Sequence, residues 1–350
     1  MSKFLREAYQ ILEPYTPGEQ PRDQVYIKLN TNESPYPPAP SVIKAIGEQE
    51  IADLRLYSDP SAKGLKEKLA GLYGVGPENI FLSNGSDDIL NFAFMAYGWM
   101  GARFPDITYG FYPVFGDLNG VAYREIPLKE DFTIDPMDYC EDGKLIVIAN
   151  PNAPTGISLP LAAIEEILKR NPSGVVLIDE AYVDFGGESA LPLLKKYENL
   201  LITRTYSKSR CMAGARLGYA IAGAALIEDL ERIKYSTNPY NINRLTMTLG
   251  EATVAAEEYY RGRCKEIEET REWTAKELHQ LGFEVLPSKA NFLFAKSDKI
   301  GGEALYLKLK ERGILVRHFK KERIKDFNRI TIGTKEQMAR LIDLLKEELK

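Results

Sequence analysis

The chain has 350 residues, of which 44% are hydrophobic and 27% are charged, a composition that can bury a large core and at this length favours two domains over one. Its formal net charge of -5 gives no basic surface for a polyanion, which argues against a nucleic-acid partner. The cysteines and histidines lack disulfide or metal-ligand spacing, so we expect neither a disulfide framework nor a metal site; they are Cys140, Cys211, Cys264, His279 and His318.

The first 40 residues are rich in Pro, Asn and Tyr, as in "LEPYTPGEQP" and "TNESPYPPAP". They predict an ordered arm wrapped over the body of the protein; a freely solvated tail is the alternative. The chain begins without the apolar run of a secretory signal peptide. The most apolar window, residues 89–102, is too short to cross a bilayer and predicts a buried helix. We therefore expect a cytoplasmic protein with no membrane partner.

Between about residues 75 and 225, short apolar runs alternate with helical patterns. Strand, helix and strand at this spacing predict an α/β fold, with a mostly parallel central sheet and helices on both faces. The predicted strands are 79–83, 145–150, 174–179, 199–205 and 218–223, and the helices between them include 160–170 and 189–197.

After about residue 240 the pattern changes to that of a smaller α+β domain. A long helical segment, 242–280, leads into four apolar runs, "FEVLP", "ANFLFAK", "GILVRHF" and "NRITIG", and then into an amphipathic helix at 334–349. The charge run at 261–278 predicts a solvated helix face, and a partner surface is the alternative.

Four loops after predicted strands carry polar residues, and open α/β sheets bind ligands at the carboxyl ends of their strands. The first loop is "SNGSDD", residues 83–88. Free N–H groups of Gly85, Ser86 and Asp87 at a helix start would form an anion site. An ordinary helix N-cap is the alternative.

The second and third loops place amides and a carboxylate at the same edge. "ANPNAPTG", residues 149–156, is a turn whose asparagines, Asn150 and Asn152, point past a strand end, where a ligand oxygen could lie. "LIDEAYVDF", residues 177–185, delivers Asp179 into the interior, with Tyr182 one helical turn away. A buried carboxylate is costly without a cationic partner, although an N-cap role is the alternative.

The fourth loop, "TRTYSKSRCMAGARLGY" at 203–219, puts Thr205 and Ser207 beside Lys208, with Arg216 following a run of small residues. Those small residues leave room for a tight chain reversal, so Arg216 can return toward the lysine. Hydroxyls and a guanidinium are the donors that a phosphate needs. A lysine beside a phosphate site and opposite a buried aspartate suggests an aldehyde held as a Schiff base; an exposed lysine is the ordinary alternative.

One cofactor, pyridoxal phosphate, fits all four loops at once. Its phosphate requires helix N–H groups, hydroxyls and Arg, and its aldehyde requires a lysine. Its pyridine nitrogen requires a carboxylate, and its phenolic oxygen requires an Asn or Tyr donor. The sequence therefore predicts this cofactor.

These motifs resemble those of the fold-type I pyridoxal-phosphate aminotransferases, and within that superfamily most resemble the histidinol-phosphate aminotransferases. The resemblance covers nearly the whole chain. It implies an arm at 1–40 that packs with the small domain and the substrate cleft, a large cofactor-binding domain at 41–250 and a small α+β domain at 251–350. The motifs that carry it are "LEPYTPGEQP", "IKLNTNESPYPP", "LYSDP", "SNGSDD", "NPNAPTG", "VLIDEAYVDF", "TYSKSRCMAGARLGYAI", "ANFLF" and "RITIGT".

The resemblance also implies a role for each residue at the cofactor. Lys208 would form the Schiff base and move the substrate proton, Asp179 would pair with the pyridinium nitrogen, Tyr182 would donate to the phenolic oxygen, and Tyr109 would stack on the ring. Tyr57 would reach the phosphate of the partner subunit, which implies a homodimer. The phosphate of the same subunit would be held by Gly85, Ser86, Asp87, Thr205, Ser207 and Arg216.

One position departs from the family pattern. The family has Asn directly before Pro-Thr-Gly, where this chain has Ala153. The contact to the phenolic oxygen could pass to Asn152 or Asn150, or Tyr182 could make it alone; we expect Asn152.

The resemblance places the substrate beside Arg317 and Arg329, which would bind its anionic group. Surface salt bridges are the alternative for both arginines, and bidentate arginines suit phosphate and carboxylate alike. Tyr15 on the arm would assist, and Asn32 and Asn291 would line the same cleft.

The reaction that the resemblance implies is transamination between L-histidinol phosphate and 2-oxoglutarate, which yields imidazole-acetol phosphate and L-glutamate, in histidine biosynthesis. A decarboxylase of L-threonine O-3-phosphate on the same scaffold is the nearest alternative. An aromatic or broad-range aminotransferase is another. A regulatory module that only binds the cofactor is a further alternative, but the chain has no evident DNA-reading segment.

Overall fold

The structure is a computed structural model that describes residues 2–10, 12–140 and 143–349. Its strands are β1 (Ile27–Lys28), β2 (Ile80–Ser83), β3 (Ala102–Pro105), β4 (Tyr123–Ile126), β5 (Leu145–Ala149), β6 (Val176–Asp179), β7 (Leu200–Thr205), β8 (Gly218–Ala222), β9 (Phe283–Val285), β10 (Phe292–Ser297), β11 (Ile314–Leu315), β12 (Arg317–His318) and β13 (Asn328–Thr331). Its α-helices are α1 (Glu7–Gln10), α2 (Pro40–Ile43), α3 (Glu48–Ala52), α4 (Lys63–Tyr73), α5 (Ser86–Tyr97), α6 (Phe111–Asn119), α7 (Leu161–Arg170), α8 (Ala224–Thr237), α9 (Arg244–Ala255), α10 (Glu257–Gln280), α11 (Gly302–Glu311) and α12 (Lys335–Glu348).

The central sheet has seven strands in the order β2-β8-β7-β6-β5-β3-β4. The neighbours from β4 to β7 pair in parallel, whereas β8 runs antiparallel to both β7 and β2. The predicted α/β class with a mostly parallel sheet is confirmed. Because β8 runs the other way, its first residue, Gly218, pairs with the last residues of β2 and β7, Ser83 and Thr205.

Successive residues of the central strands pack into two different cores, because side chains alternate between the faces of a sheet. In β5, Ile146 and Ile148 join the core on one face, and Leu145 and Val147 join the core on the other. All five residues of β5 are buried. This explains why the central strands read as continuous apolar runs rather than as alternating patterns.

The carboxyl-terminal part forms a second layer built on a four-stranded antiparallel sheet, ordered β12-β13-β10-β9. Its core includes buried residues of α10, α11 and α12, and it extends to Leu29 near the amino terminus and to Phe185 after β6. Strand β1 pairs in parallel with β11. The amino-terminal segment therefore packs with this layer through the backbone as well as through side chains. The domain boundaries drawn from the sequence stay predictions.

Several predicted elements differ from the structure. The helix expected at 189–197 is wrong, because only Leu191–Leu193 forms a 3-10 turn. The Ala190 N–H donates to a Glu180 carboxylate oxygen at 2.6 Å, and Glu180 also pairs with Arg204 at 2.7 Å. This contact holds the chain against the end of β6. Pro192 supplies no N–H for further helical turns.

The long helix expected at 242–280 is divided into α9 and α10 at Ala256, whose N–H donates to the Thr253 carbonyl in a tight turn. The apolar window at 89–102 forms a helix only as far as Tyr97. A 3-10 turn and Gly101, with φ +106°, then reverse the chain into β3. Strands β3 and β4 were not predicted from the sequence.

No helix in the described part of the chain is long and apolar enough to cross a membrane. Residues 2–10, 12–140 and 143–349 also hold no cluster of His, Cys, Asp and Glu that could bind a metal ion.

Candidate active site

The candidate active site lies where the carboxyl ends of β2, β5, β6 and β7 meet the start of β8. It has an inner cavity of about 340 Å³ and a more open outer cavity of about 830 Å³. The inner cavity is lined by residues of all four predicted loops, including Ser86, Asp87, Ala153, Asp179, Tyr182, Thr205, Ser207, Lys208 and Arg216. The two cavities share a wall formed by Thr31, Tyr109, Ala153, Tyr182 and Lys208.

One end of the inner cavity is built for an anion. Gly85, with φ +91°, leads into the first turn of α5, and Arg216 returns to the same point with φ +54°. The backbone at Gly218, the first residue of β8, lies close to the backbone of Gly85 and Ser86. A methyl group on Gly218 would lie 2.4 Å from the Gly85 carbonyl carbon and the Ser86 nitrogen. Free N–H groups at a helix start beside a guanidinium attract a negative group.

The Asp87 carboxylate orients two side chains around this end. It accepts hydrogen bonds from Arg216 at 3.1 Å and from the Tyr109 hydroxyl at 2.8 Å. Burial, and then the nearby negative charge of Asp87, raise the pKa of the Tyr109 phenol. Tyr109 therefore stays protonated and is held in place by this hydrogen bond. Because the Asp87 carboxylate is negatively charged, only its backbone N–H is a candidate contact for an anion.

Lys208 follows two buried hydroxyl residues and reaches the wall between the cavities. Thr205 Oγ1 donates to Ser207 Oγ at 3.0 Å and accepts from the Ser207 N–H at 3.1 Å, which closes a tight turn at the end of β7. Lys208 Nζ lies 3.4 Å from the Thr31 carbonyl oxygen and 5.8 Å from the Tyr182 ring centre. Its amine therefore lies between the anion end and the outer cavity.

Asp179 is a buried carboxyl at the end of β6, only 5% exposed. Burial raises its pKa to about 6, although hydrogen bonds from the Tyr112 hydroxyl, at 2.9 Å, and from the Ala181 N–H favour the charged form. A cationic group in the inner cavity would stabilise the carboxylate. Asp179 is therefore suited to pair with a protonated ring nitrogen.

Tyr182 stands on the wall between the cavities and contacts the amino-terminal arm. Its hydroxyl accepts a hydrogen bond from Asn32 Nδ2 at 2.9 Å. Its ring meets Phe292 edge-on, with centres 5.1 Å apart. Tyr109 belongs to the same wall.

The outer cavity holds both predicted substrate arginines and Tyr15. Arg329 is deeply placed: burial lowers the pKa of its guanidinium. Its Nη2 donates to the Asn30 carbonyl at 2.9 Å, while its Nε has no hydrogen-bond partner among the described residues. Arg317 donates to the carbonyls of Thr16 and Pro17 on the arm. A half-buried guanidinium whose Nε is buried without a partner among the described residues, beside a second arginine, favours an anionic ligand.

Three predicted residues lie elsewhere. The Asn152 side chain turns away from the inner cavity: its Nδ2 donates to the Ile107 carbonyl at 3.0 Å and its Oδ1 accepts from Thr108 at 2.8 Å. This orientation gives no support to the expected contact between Asn152 and the phenolic oxygen, which stays a prediction. Asn291 lies behind the cleft wall, is fully buried and donates to the Asn32 carbonyl. Tyr57 is 79% exposed and stacks on Tyr240, outside both cavities of its own chain.

The sequence patterns did not indicate two residues of the site, Tyr112 and Thr31. Tyr112 donates to Asp179, and it lies one turn after Tyr109 in "TYGFYP", so helical spacing could have indicated it. Thr31 faces Lys208 through its carbonyl, and a backbone contact of this kind leaves no signal in the sequence.

The inner cavity fits pyridoxal phosphate on its own chemistry. It brings together a helix start with Gly85 that Arg216 approaches closely, two hydroxyls, a lysine and a buried acid. These are the donors and charges that the phosphate, aldehyde and ring nitrogen require. The role of each residue stays a prediction.

Comparisons with known proteins agree with this chemistry. A family model described as aminotransferase class I and II matches residues 24–345. A histidinol-phosphate aminotransferase of Brachyspira hyodysenteriae is 50% identical, with 100% of both chains covered. One from Clostridium acetobutylicum is 47% identical, with 99% of both chains covered. The solved histidinol-phosphate aminotransferase of Sinorhizobium meliloti, in complex with pyridoxal-5'-phosphate, has the same fold, with a TM-score of 0.87, 23% identity and coverage of 100% of this chain and 98% of that chain.

The close backbone contact at the anion end leads to a first prediction. Gly218→Ala should push the Gly85–Ser86 backbone out of place and weaken pyridoxal phosphate binding on the order of tenfold or more. Spectroscopic titration of the apoprotein measures this affinity. Gly223→Ala, just after the same strand, is the control, because the nearest atom to its added methyl, the Glu198 carbonyl oxygen, lies 3.9 Å away. Equal losses in both variants would contradict the explanation.

The raised pKa of Asp179 leads to a second prediction. Its folded-state pKa of about 6 lies above the ordinary value of 3.8, so the folded apoprotein binds more protons than the unfolded chain between these values. The free energy of unfolding should therefore fall as pH rises through that window. Asp179→Asn removes this dependence and should stabilise the apoprotein by about 2–3 kcal/mol near neutral pH.

Urea unfolding of both apoproteins across that pH range measures this difference. The stability gap should close as the pH falls toward 4. A constant gap at every pH would show that titration of Asp179 is not its cause.

Proposed function

Since the chain belongs to the aminotransferase class I and II family, we propose that it is a histidinol-phosphate aminotransferase. It transfers the amino group of L-histidinol phosphate to 2-oxoglutarate and thereby serves histidine biosynthesis. The single observation that carries this proposal is the 50% identity, over the full length of both chains, with a histidinol-phosphate aminotransferase. The arrangement of the two cavities supports it.

The inner cavity holds pyridoxal phosphate. The start of α5, the hydroxyls of Thr205 and Ser207 and the guanidinium of Arg216 bind its phosphate. When bound, this cofactor supplies an aldehyde that can take up an amino group and a ring that withdraws electrons. The Asp179 carboxylate would accept a hydrogen bond from the ring nitrogen and keep it protonated, while Tyr109 would stack on the ring.

Lys208 carries out the proton transfer. Its Nζ would hold the cofactor through the aldehyde. As a free amine it would accept the proton from the substrate carbon and give it back, as general base and then general acid. Its place on the wall between the cavities gives it access to the substrate as well as to the cofactor.

The outer cavity binds the substrate. Arg329 and Arg317 pair with the phosphate of histidinol phosphate, and with a carboxylate of glutamate or 2-oxoglutarate in the second half of the reaction, because a guanidinium binds both groups through two parallel hydrogen bonds. The Tyr15 ring stacks on Phe111, with centres 4.2 Å apart, and lies beside the arginines at the cavity wall. It excludes water from that side.

The protein works as a cytoplasmic homodimer, in which Tyr57 of one chain reaches the cofactor phosphate of the other. An exposed apolar segment around Tyr57 supports such an interface; it includes Ile51, Leu54 and Leu56. Sedimentation should give the mass of two chains. Tyr57→Phe should weaken cofactor binding although Tyr57 lies outside the inner cavity of its own chain, whereas Tyr240→Phe, its stacking neighbour, should not. Unaltered affinity in Tyr57→Phe would contradict the shared site.

A single-turnover experiment tests the reaction. Addition of L-histidinol phosphate to the purified holoenzyme should convert the cofactor to its amino form, which changes its visible absorption, and 2-oxoglutarate should restore the original spectrum. The absence of any spectral conversion would exclude the proposal. Carbon dioxide release from L-threonine O-3-phosphate would favour the decarboxylase alternative, and rapid turnover of phenylpyruvate would favour an aromatic aminotransferase.

The arginine pair gives a sharper prediction. Arg329→Gln should raise KM for histidinol phosphate by a factor on the order of 100, because it removes a charged hydrogen bond to the phosphate at a half-buried position. The same substitution should change the turnover of L-histidinol, which lacks the phosphate, far less. An equal loss for the two substrates would show that Arg329 supports the fold or the proton transfer instead.

A further inference from the structure

The Tyr182 hydroxyl meets a side chain of the amino-terminal arm on the wall that the two cavities share. Asn32 Nδ2 lies 2.9 Å from it. An amide nitrogen can only donate, so the hydroxyl oxygen of Tyr182 is the acceptor in this contact. The phenol has one proton, which must then point elsewhere. We propose that Asn32 is a positioning residue that directs the Tyr182 proton into the inner cavity, toward the phenolic oxygen of the cofactor.

The amide of Asn32 is held in this orientation by Thr331 in β13. Thr331 Oγ1 accepts a hydrogen bond from the Asn32 N–H at 3.0 Å, and it donates its own proton to Asn32 Oδ1 at 3.0 Å. Rotation of the amide by half a turn would place its N–H₂ against this hydroxyl and leave the Thr331 proton without an acceptor. The arrangement at β13 therefore determines which end of the amide meets Tyr182.

The backbone of Asn32 is equally constrained. It adopts φ +55°, in the left-handed region, and its carbonyl accepts a hydrogen bond from Asn291 at 3.0 Å. The residue is only 1% exposed. Asparagine tolerates this conformation better than most residues. Asn291, expected at the cleft surface, thus acts one layer behind it, where it holds Asn32.

The chemistry of the neighbouring part of the shared wall makes this direction important. Ala153 contributes only a methyl group to the inner cavity, and the amides of Asn150 and Asn152 are hydrogen-bonded elsewhere. The segment before Pro-Thr-Gly therefore offers no side-chain donor to the phenolic oxygen. Tyr182 must supply this hydrogen bond, and a phenol free to rotate would supply it only part of the time.

The proposal rests on pyridoxal phosphate occupying the inner cavity, as in the proposed function, but not on the identity of the substrate. Its test is the pH titration of the visible absorption of the purified holoenzyme without substrate. A donor at the phenolic oxygen favours the deprotonated form of the bound chromophore and lowers the midpoint of this titration. The midpoint therefore reports the direction of the Tyr182 proton.

Asn32→Asp is the decisive variant, because it keeps the shape of the side chain and replaces the donor by an acceptor. The carboxylate should draw the Tyr182 proton away from the cavity and raise the midpoint by about 0.5–1 pH unit. A role in packing alone would leave the midpoint unchanged, and an unchanged midpoint would overturn the proposal.

The negative charge that Asn32→Asp adds could also raise the midpoint directly, and a double-mutant cycle separates the two effects. In a Tyr182→Phe background, Asn32→Asp should cause little further shift, because the hydroxyl that it redirects is gone. The same shift in both backgrounds would overturn the proposal. Ala153→Asn, which supplies an amide donor from another position on the shared wall, should lower the midpoint of Asn32→Asp again.

Circular dichroism and thermal unfolding establish that each variant is folded. Should Asn32→Asp not fold, Thr331→Val tests the same series of hydrogen bonds at Thr331. This substitution frees the Asn32 amide to rotate and should raise the midpoint by a smaller amount. An unchanged midpoint in folded Thr331→Val would overturn the proposal as well.

Discussion

The buried carboxyl of Asp179 is the constraint on which the rest of the site depends. The end of β6 carries it out of water, and burial raises its pKa to about 6. Only the Tyr112 hydroxyl and the Ala181 N–H oppose that tendency among the described residues that bond to it. The Asp179 carboxylate therefore has no cationic partner in the described part of the free protein, and the protonated ring nitrogen of the proposed cofactor would supply one. Stability and function make opposite demands on this residue.

The other parts of the site follow from the geometry of the sheet. Parallel strands deliver their carboxyl ends to one edge, and the reversed direction of β8 brings Gly218 and Arg216 to the same edge. The backbone of Gly218 lies so close to Gly85 and Ser86 that a methyl group would not fit. One end of the inner cavity therefore attracts an anion, and Asp179 contributes a carboxyl group to the lining of the same cavity. Lys208 lies on the side that opens toward the arginines.

The arm and the carboxyl-terminal layer complete the site from the other side. Asn32, Thr331 and Tyr182 come from three distant parts of the chain, yet they form one hydrogen-bonded series. Arg317 holds the arm through two backbone carbonyls. Docking of the arm is therefore linked to the direction of the Tyr182 O–H bond, and under the proposal above the arm would contribute to the chemistry as well as cover the cleft.

The sequence by itself determined the fold class, the identity of the loops at the sheet edge and the kind of cofactor, because apolar strands, small residues and unusual polar residues are local features. It did not determine where polar side chains point. Asn152 and Ala153 are neighbours, yet only Ala153 faces the inner cavity, and the partners of Asn152 belong to residues 107 and 108. The sequence at 189–197 has a helical pattern, but Ser189 and Ala190 donate to the carboxylate of Glu180, the residue after β6, and the segment forms only a short 3-10 turn. Side-chain direction and the ends of elements are decided by contacts between residues far apart in the chain, and only the tertiary structure contains those contacts.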